Sequence, residues 1–134
     1  MRIISGEARG RTLVSPKGDQ IRPTTDRVRE SMFSILGGLY GLHVVDGFAG
    51  TGALGCEALS RGAARCVFMD VAPAAIVLVQ ENLKRTRLEA RASVVREPFA
   101  RGWRGLEGGL NLVLLDPPYG TALAQEAFDA IEAA

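Results

Sequence analysis

Four residues, Asp116-Pro117-Pro118-Tyr119, place a carboxylate, a proline carbonyl and an aromatic ring side by side after the apolar run Leu112 to Leu115. That set suits the activation of a planar amine. The exocyclic amine of a nucleobase is a poor nucleophile because its lone pair is delocalised into the ring. Oxygens that accept its N–H groups draw the nitrogen toward tetrahedral geometry and aim the lone pair outward. Asp116 offers carboxylate oxygens, and Pro117 offers a carbonyl held by the neighbouring ring. Charge develops on the amine in the transition state, so fixed oxygens stabilise that state more than the ground state. Tyr119 can stack on an extruded base, a contact worth about 1–3 kcal/mol. Taken alone, the segment also reads as a Pro-Pro turn with a solvent-facing Asp and a half-buried Tyr.

The second chemical constellation is the stretch His43 to Gly55, HVVDGFAGTGALG. Gly50-Thr51-Gly52-Ala53-Leu54-Gly55 spells the dinucleotide fingerprint literally. Two details oppose that ligand. Asp46 ends the preceding strand, where its charge would face a pyrophosphate, and Phe48-Ala49 lengthens the turn. S-adenosylmethionine fits better, because its sulfonium and amino groups are cations that a carboxylate attracts. Gly50 and Gly52 let the backbone approach such a ligand with no Cβ in the way. Asp70 can accept two ribose hydroxyls, as acidic residues do for nicotinamide cofactors. The glycines could instead serve only close helix–strand packing.

Positioning these groups requires an open α/β sheet, whose ligand crevice lies at the carboxyl ends of its strands. Strands are expected at Leu42–Asp46, Arg65–Asp70, Arg91–Arg96 and Leu110–Asp116. The last reads as buried on both faces, because its apolar run is continuous. Helices are expected near Ala53–Arg61, Pro73–Arg87 and Thr121–Ala133, with a weaker helical or irregular piece around Phe99–Leu106. Alternation of the two implies a parallel sheet. Before it, Arg2 to Ser5 and Thr12 to Ser15 suggest a hairpin. A helix should start at Pro23-Thr24-Thr25-Asp26, stop near Gly37-Gly38, and bury Val28, Met32, Ile35, Leu36 and Leu39. Residues 1–40 thus read as an extension of the domain formed by residues 41–134.

Composition narrows the function classes. At 134 residues the chain is one domain, and 47% apolar with 23% charged residues is ordinary for a soluble protein. Cys56 and Cys66 belong to no Cys/His cluster and His43 is the only histidine, so neither a metal site nor a His-based triad is expected. Both cysteines read as reduced core residues of a cytoplasmic protein. No signal-peptide or membrane-spanning run is present in the sequence. Residues 1–40 carry seven Lys/Arg against four Asp/Glu, while the remainder carries nine against eleven. A basic end can face an anionic polymer, although on charge alone a solvated surface is the better reading.

RIISGEARGRTL, IRPTTDRVRESMFSIL, DGFAGTGALGCEALSRGA and LDPPY occur in that order. Together they closely resemble the RsmD family, the bacterial small-subunit ribosomal RNA guanine-N2 methyltransferases. The resemblance covers essentially the whole chain. It implies a Rossmann-like class I methyltransferase fold, S-adenosylmethionine as donor, and 16S rRNA or the assembling small subunit as partner, with no membrane or metal involved. Asp46, Phe48, Ala49, Gly50 and Gly52 would form the methionine-side cofactor loop. Asp70 would hold the ribose, and Asp116, Pro117, Pro118 and Tyr119 the target base. Thr24 and Arg27 fall in a motif that packs near the methionine end, and Glu97 is a candidate near the adenine. Gly47 stands where the family commonly has a bulky apolar residue, which would loosen packing. The family sheet runs 3-2-1-4-5-7-6, and only 3-2-1-4 is visible in these residues. The chain is therefore expected to be a fragment, or to associate through the outer edge of its fourth strand, with weak cofactor binding by itself.

Other readings make different demands. An adenine-N6 methyltransferase could use the same four-residue motif. A nicotinamide-dependent oxidoreductase would leave Asp116 to Tyr119 unexplained, and a non-catalytic RNA-binding module would need neither acidic strand end. On the RNA reading, Arg2, Arg9, Arg11, Lys17 and Arg22 act through phosphate contacts. Replacing Arg9 and Arg11 should weaken RNA binding and flatten its salt dependence by about one unit per lost contact. An unchanged slope in a filter-binding salt titration would make them ordinary surface.

Overall fold

The computed structural model describes residues 1–15, 25–106, 109–117 and 122–133. Its elements are α1 (Asp26–Leu36), β1 (His43–Asp46), α2 (Ala53–Ser60), β2 (Arg65–Met69), α3 (Pro73–Thr86), β3 (Ala92–Val95), α4 (Phe99–Gly102), β4 (Leu112–Leu114) and α5 (Leu123–Glu132). The strands form one parallel sheet in the order β3-β2-β1-β4, the expected arrangement. Trp103–Gly105 continues α4 as a 3-10 turn.

Side chains alternate across the sheet, and each face has its own core. Val44, Cys66, Phe68 and Leu114 pack with α2 and α3 through Leu54, Leu59, Val79 and Leu83. Val45 and Met69 face the other way and pack with Phe99 of α4 and Ala127 of α5. Cys56 and Cys66 are free and buried, and burial pushes the Cys56 thiol up to about 12, with Asp46 adding to the shift. Both stay protonated packing residues at neutral pH.

Strand β4 departs from its sequence pattern. Only Leu114 is fully buried, while Leu112, Val113 and Leu115 are half-buried. Among the described residues β4 pairs with β1 alone, so its outer side lacks the neighbour that a doubly buried strand has.

The N-terminal hairpin is reduced to one antiparallel bridge, Arg2 to Thr12. Polar groups hold this segment to α2. Glu57, fully buried, accepts the N–H groups of Ile4 at 2.8 Å and Ser5 at 3.1 Å. The Ser60 hydroxyl accepts from Ala8 N–H at 2.9 Å and donates to the Ser5 carbonyl at 2.7 Å. Gly6 lies so close that a Cβ there would fall 1.8 Å from the Ser60 carbonyl oxygen. Ile3, Ala8 and Leu13 then join the main core.

Helix α1 begins and ends as expected. Thr25 Oγ1 accepts from the Val28 N–H at 3.2 Å, and Gly37, at φ +75°, closes the helix. Its buried face is different. Val28 is exposed, Ile35 is 86% exposed, and Leu36 is 38% exposed. The helix buries Arg29 and Phe33 instead, with Met32 partly covered, and Leu39 is buried only beyond the helix end. Arg29 can enter because Asp26 lies 3.0 Å away, Glu57 lies 3.7 Å away, and the Arg2 carbonyl accepts one of its N–H groups. Apolar periodicity scores such a face as polar, so the pattern points to the wrong side.

The Glu57 carboxylate also pairs with Arg61 at 2.9 Å, which makes it the hub of this clamp. Glu57→Ala should cost about 3–5 kcal/mol in urea unfolding, because it takes one carboxylate from the buried Arg29 and Arg61 pairs and leaves the Ile4 and Ser5 N–H groups without their acceptor. A loss below about 1 kcal/mol would show that the segment is held by its apolar residues.

Candidate active site at the strand ends

Sheet order determines which acidic residues meet. Asp46 is the last residue of β1 and is level with Phe68 of β2 and Leu114 of β4. Asp70 follows β2 and Asp116 follows β4, so both flank Asp46 at the carboxyl edge. Glu97 follows β3 and is exposed, with its carboxylate over Gly102. One acidic residue thus stands at the end of each strand, where ligands of open α/β sheets bind.

Asp46 lies fully buried beneath the glycine turn. Its Oδ2 accepts the Gly55 N–H at 3.0 Å, and its Oδ1 has no hydrogen-bond partner among the described residues. Burial raises its pKa from 3.8 to about 7. The Gly55 bond opposes the shift, and the charges of Asp116 and Asp70 add to it. A buried acceptor with nothing to accept is rare and marks a place for a cation or donor.

The glycines divide into two jobs. Gly55 serves packing, since a Cβ there would fall 2.2 Å from the Phe68 ring. Gly50 has no such neighbour: its φ of +55° bends the turn, and its N–H donates to Asp70 Oδ2 at 3.0 Å. Gly52, at φ +82°, starts α2. Asp70 Oδ1 accepts from the Ala72 N–H at 2.9 Å, so one carboxylate joins the glycine turn to the start of α3. Both oxygens keep spare lone pairs for hydroxyl donors.

Gly47 corrects an expectation. Packing around it is tight, because a Cβ there would fall 2.6 Å from Leu115 and 2.8 Å from Phe99. Those side chains occupy the volume that a bulky residue would need. Phe48 packs with the second core and Ala49 is buried. Arg27 is exposed on α1. Arg2 and Arg9 are exposed, and Arg11 donates to the Arg85 carbonyl at 3.3 Å, laying the arm along α3. Lys17, Arg22, Thr24, Pro118 and Tyr119 lie outside the described residues. A cleft of about 310 Å³ sits toward the opposite ends of the strands, between His43, Arg65, Ser93 and Leu106. Among the described residues no carboxylate lines it, and it is separate from this crevice.

Two structurally central residues went unnoticed in the sequence, Asn82 beside the glycine turn and Glu57 in the N-terminal clamp. The available signal for Asn82 was a polar residue on the Ala75, Val79, Leu83 and Thr86 face of α3, all of it buried.

The Asp46 environment predicts a pH dependence of stability. A carboxyl whose folded pKa is raised contributes fully below about pH 4 and loses that contribution as pH rises to about 7. Asp46→Asn keeps the acceptor for Gly55 without the buried charge. The variant should melt higher than the parent at pH 8 and nearly equal to it at pH 4. Parallel melting curves across that range would mean that Asp46 is ionised at no cost.

Comparison with known proteins agrees with this fold. The profile of the family Conserved hypothetical protein 95 matches residues 1–134. Ribosomal RNA small subunit methyltransferase D of Escherichia coli K12 is 38% identical over 98% of this chain, which spans 67% of that protein. The solved structure of yhhF from Escherichia coli, 36% identical, superposes with a TM-score of 0.82 over 98% of this chain and 72% of that one. Precorrin-6Y C5,15-methyltransferase of Geobacter metallireducens, at 22% identity, shares the fold with a TM-score of 0.73 over 90% of this chain and 61% of that one. The chain belongs to the Conserved hypothetical protein 95 family, the RsmD family of methyltransferases.

Proposed function

We propose that this protein transfers a methyl group from S-adenosylmethionine to the exocyclic N2 amine of a guanine in 16S ribosomal RNA, in the cytoplasm. The observation that carries the reading is the row of Asp70, Asp46 and Asp116 on adjacent strand ends around the glycine turn. The residues fit a cationic nucleoside. Asp46 Oδ1 is a buried acceptor awaiting a cation, and the Gly50 turn leaves open space where a side chain would stand. When bound, S-adenosylmethionine supplies an electrophilic methyl carbon on a sulfonium leaving group.

Every other role falls to the chain. Asp46 offsets positive charge at the methionine end, and Asp70 accepts the ribose hydroxyls while holding Gly50. Asp116 and the Pro117 carbonyl accept the N–H groups of the base and turn its lone pair toward the methyl carbon. As the nitrogen becomes cationic, Asp116 stabilises it and can take the surplus proton. A carboxylate favours guanine, because it can accept from N1–H and N2–H together, whereas adenine N1 is itself an acceptor. Pro118 and Tyr119 would complete the base platform.

Asp116→Asn should leave S-adenosylmethionine affinity unchanged and lower kcat on 16S RNA by about a hundredfold or more. Asp70→Ala should instead raise the cofactor Kd first. Near-normal turnover by Asp116→Asn in a methyl-incorporation assay would overturn the mechanism. Methylation at a position other than guanine N2, read by mass spectrometry of the product, would overturn the substrate.

A further inference from the structure

Asn82 lies fully buried on α3 and makes three hydrogen bonds, two to the N-terminal segment and one to the glycine turn. Its Oδ1 accepts the Val14 N–H at 2.6 Å. Its Nδ2 donates to the Val14 carbonyl at 3.1 Å and to the Thr51 carbonyl at 2.8 Å. The amide orientation is unambiguous. Turned over, it would set N–H against N–H at Val14 and oxygen against two carbonyls. Thr51 stands between Gly50 and Gly52, so the turn that approaches the cofactor shares this one carboxamide with the segment carrying Arg9 and Arg11.

We propose that Asn82 is a positioning residue that couples the N-terminal arm to the cofactor loop. The inference rests on reading the Gly50–Gly52 turn as the S-adenosylmethionine loop. The side chain treats Val14 as a strand neighbour would, taking both its donor and its acceptor. Its remaining N–H holds the Thr51 carbonyl of the peptide between Thr51 and Gly52, whose N–H donates on the other side to the Ala49 carbonyl at 2.7 Å. An arm that leaves α3 releases the carboxamide, and with it the Thr51 carbonyl. Cofactor binding that fixes the turn holds the carboxamide ready for Val14. Linkage makes the effect reciprocal, so whatever orders the arm, RNA included, tightens the cofactor site.

Two measurements with S-adenosylmethionine alone test this. In the unaltered protein, cofactor should slow exchange of the Val14 amide by about fivefold or more. The Ile3 amide, which donates to the Arg11 carbonyl on the same arm, should change less. In Asn82→Asp, which cannot donate to Thr51, the selective protection of Val14 should vanish. By calorimetry, Val14→Pro, which removes the donor to Asn82, should weaken cofactor affinity about fivefold in the parent and not further in Asn82→Asp. A purely structural role would lower the melting temperature of these variants and leave affinity unmoved. Cofactor binding with an unchanged Val14 amide overturns the coupling alone. Failure of the unaltered protein to bind S-adenosylmethionine overturns the cofactor reading, and the coupling with it.

Discussion

A single hydrogen bond, from the Gly55 backbone N–H to the Asp46 side-chain Oδ2, ties the end of the central strand to the first turn of α2. The glycine turn is the chain between those two points, so its shape follows from that closure. Gly47 donates to the Leu114 carbonyl and Ala49 to the Met69 carbonyl, anchoring the loop to both neighbouring strands. A carboxylate in this position is costly, since burial and two neighbouring acids oppose its charge. One N–H at a helix start offsets part of that cost. A neutral side chain would close the same turn at less expense, and the retained acid is what a cationic ligand would use.

Polar contacts also dock the N-terminal segment. Glu57, Ser60 and Asn82 meet backbone groups of residues 4, 5, 8 and 14, and Arg91 meets Glu7 and the carbonyls of Leu59 and Ala63. Buried polar contacts add little net stability compared with apolar packing, but they accept only one alignment. Ile3, Ala8 and Leu13 supply the apolar burial, and the hydrogen bonds set the register of the segment on α2 and α3. The segment can therefore place its arginines at fixed points relative to the crevice. Arg11 on the Arg85 carbonyl is one such point.

Local chemistry made much of this legible. Continuous apolar runs marked the strands within a residue or two, Pro73 marked the start of α3, and Gly37 marked the end of α1. Each signal depends on backbone geometry within a few residues, which composition reports directly. The acidic residues at the ends of β1, β2 and β4 were legible for the same reason. The face of α1 was not, because a buried arginine looks like a surface residue until its partners are known. Nor was the fit around Gly47, which depends on Leu115 and Phe99 arriving from two other elements.

The sequence by itself determined the alternation of strands and helices, the positive-φ turn after β1 and the acid at each strand end, because these are properties of short stretches. It also carried the family. Tertiary structure alone decided that Asp46 is buried rather than exposed in the crevice, that Glu57 gathers α1 and the N-terminal arm, and that Asn82 touches Val14 and Thr51 together. Each of these depends on groups separated by tens of residues. Their energies come from shared burial and hydrogen bonding, which exist only once the sheet has brought those groups together.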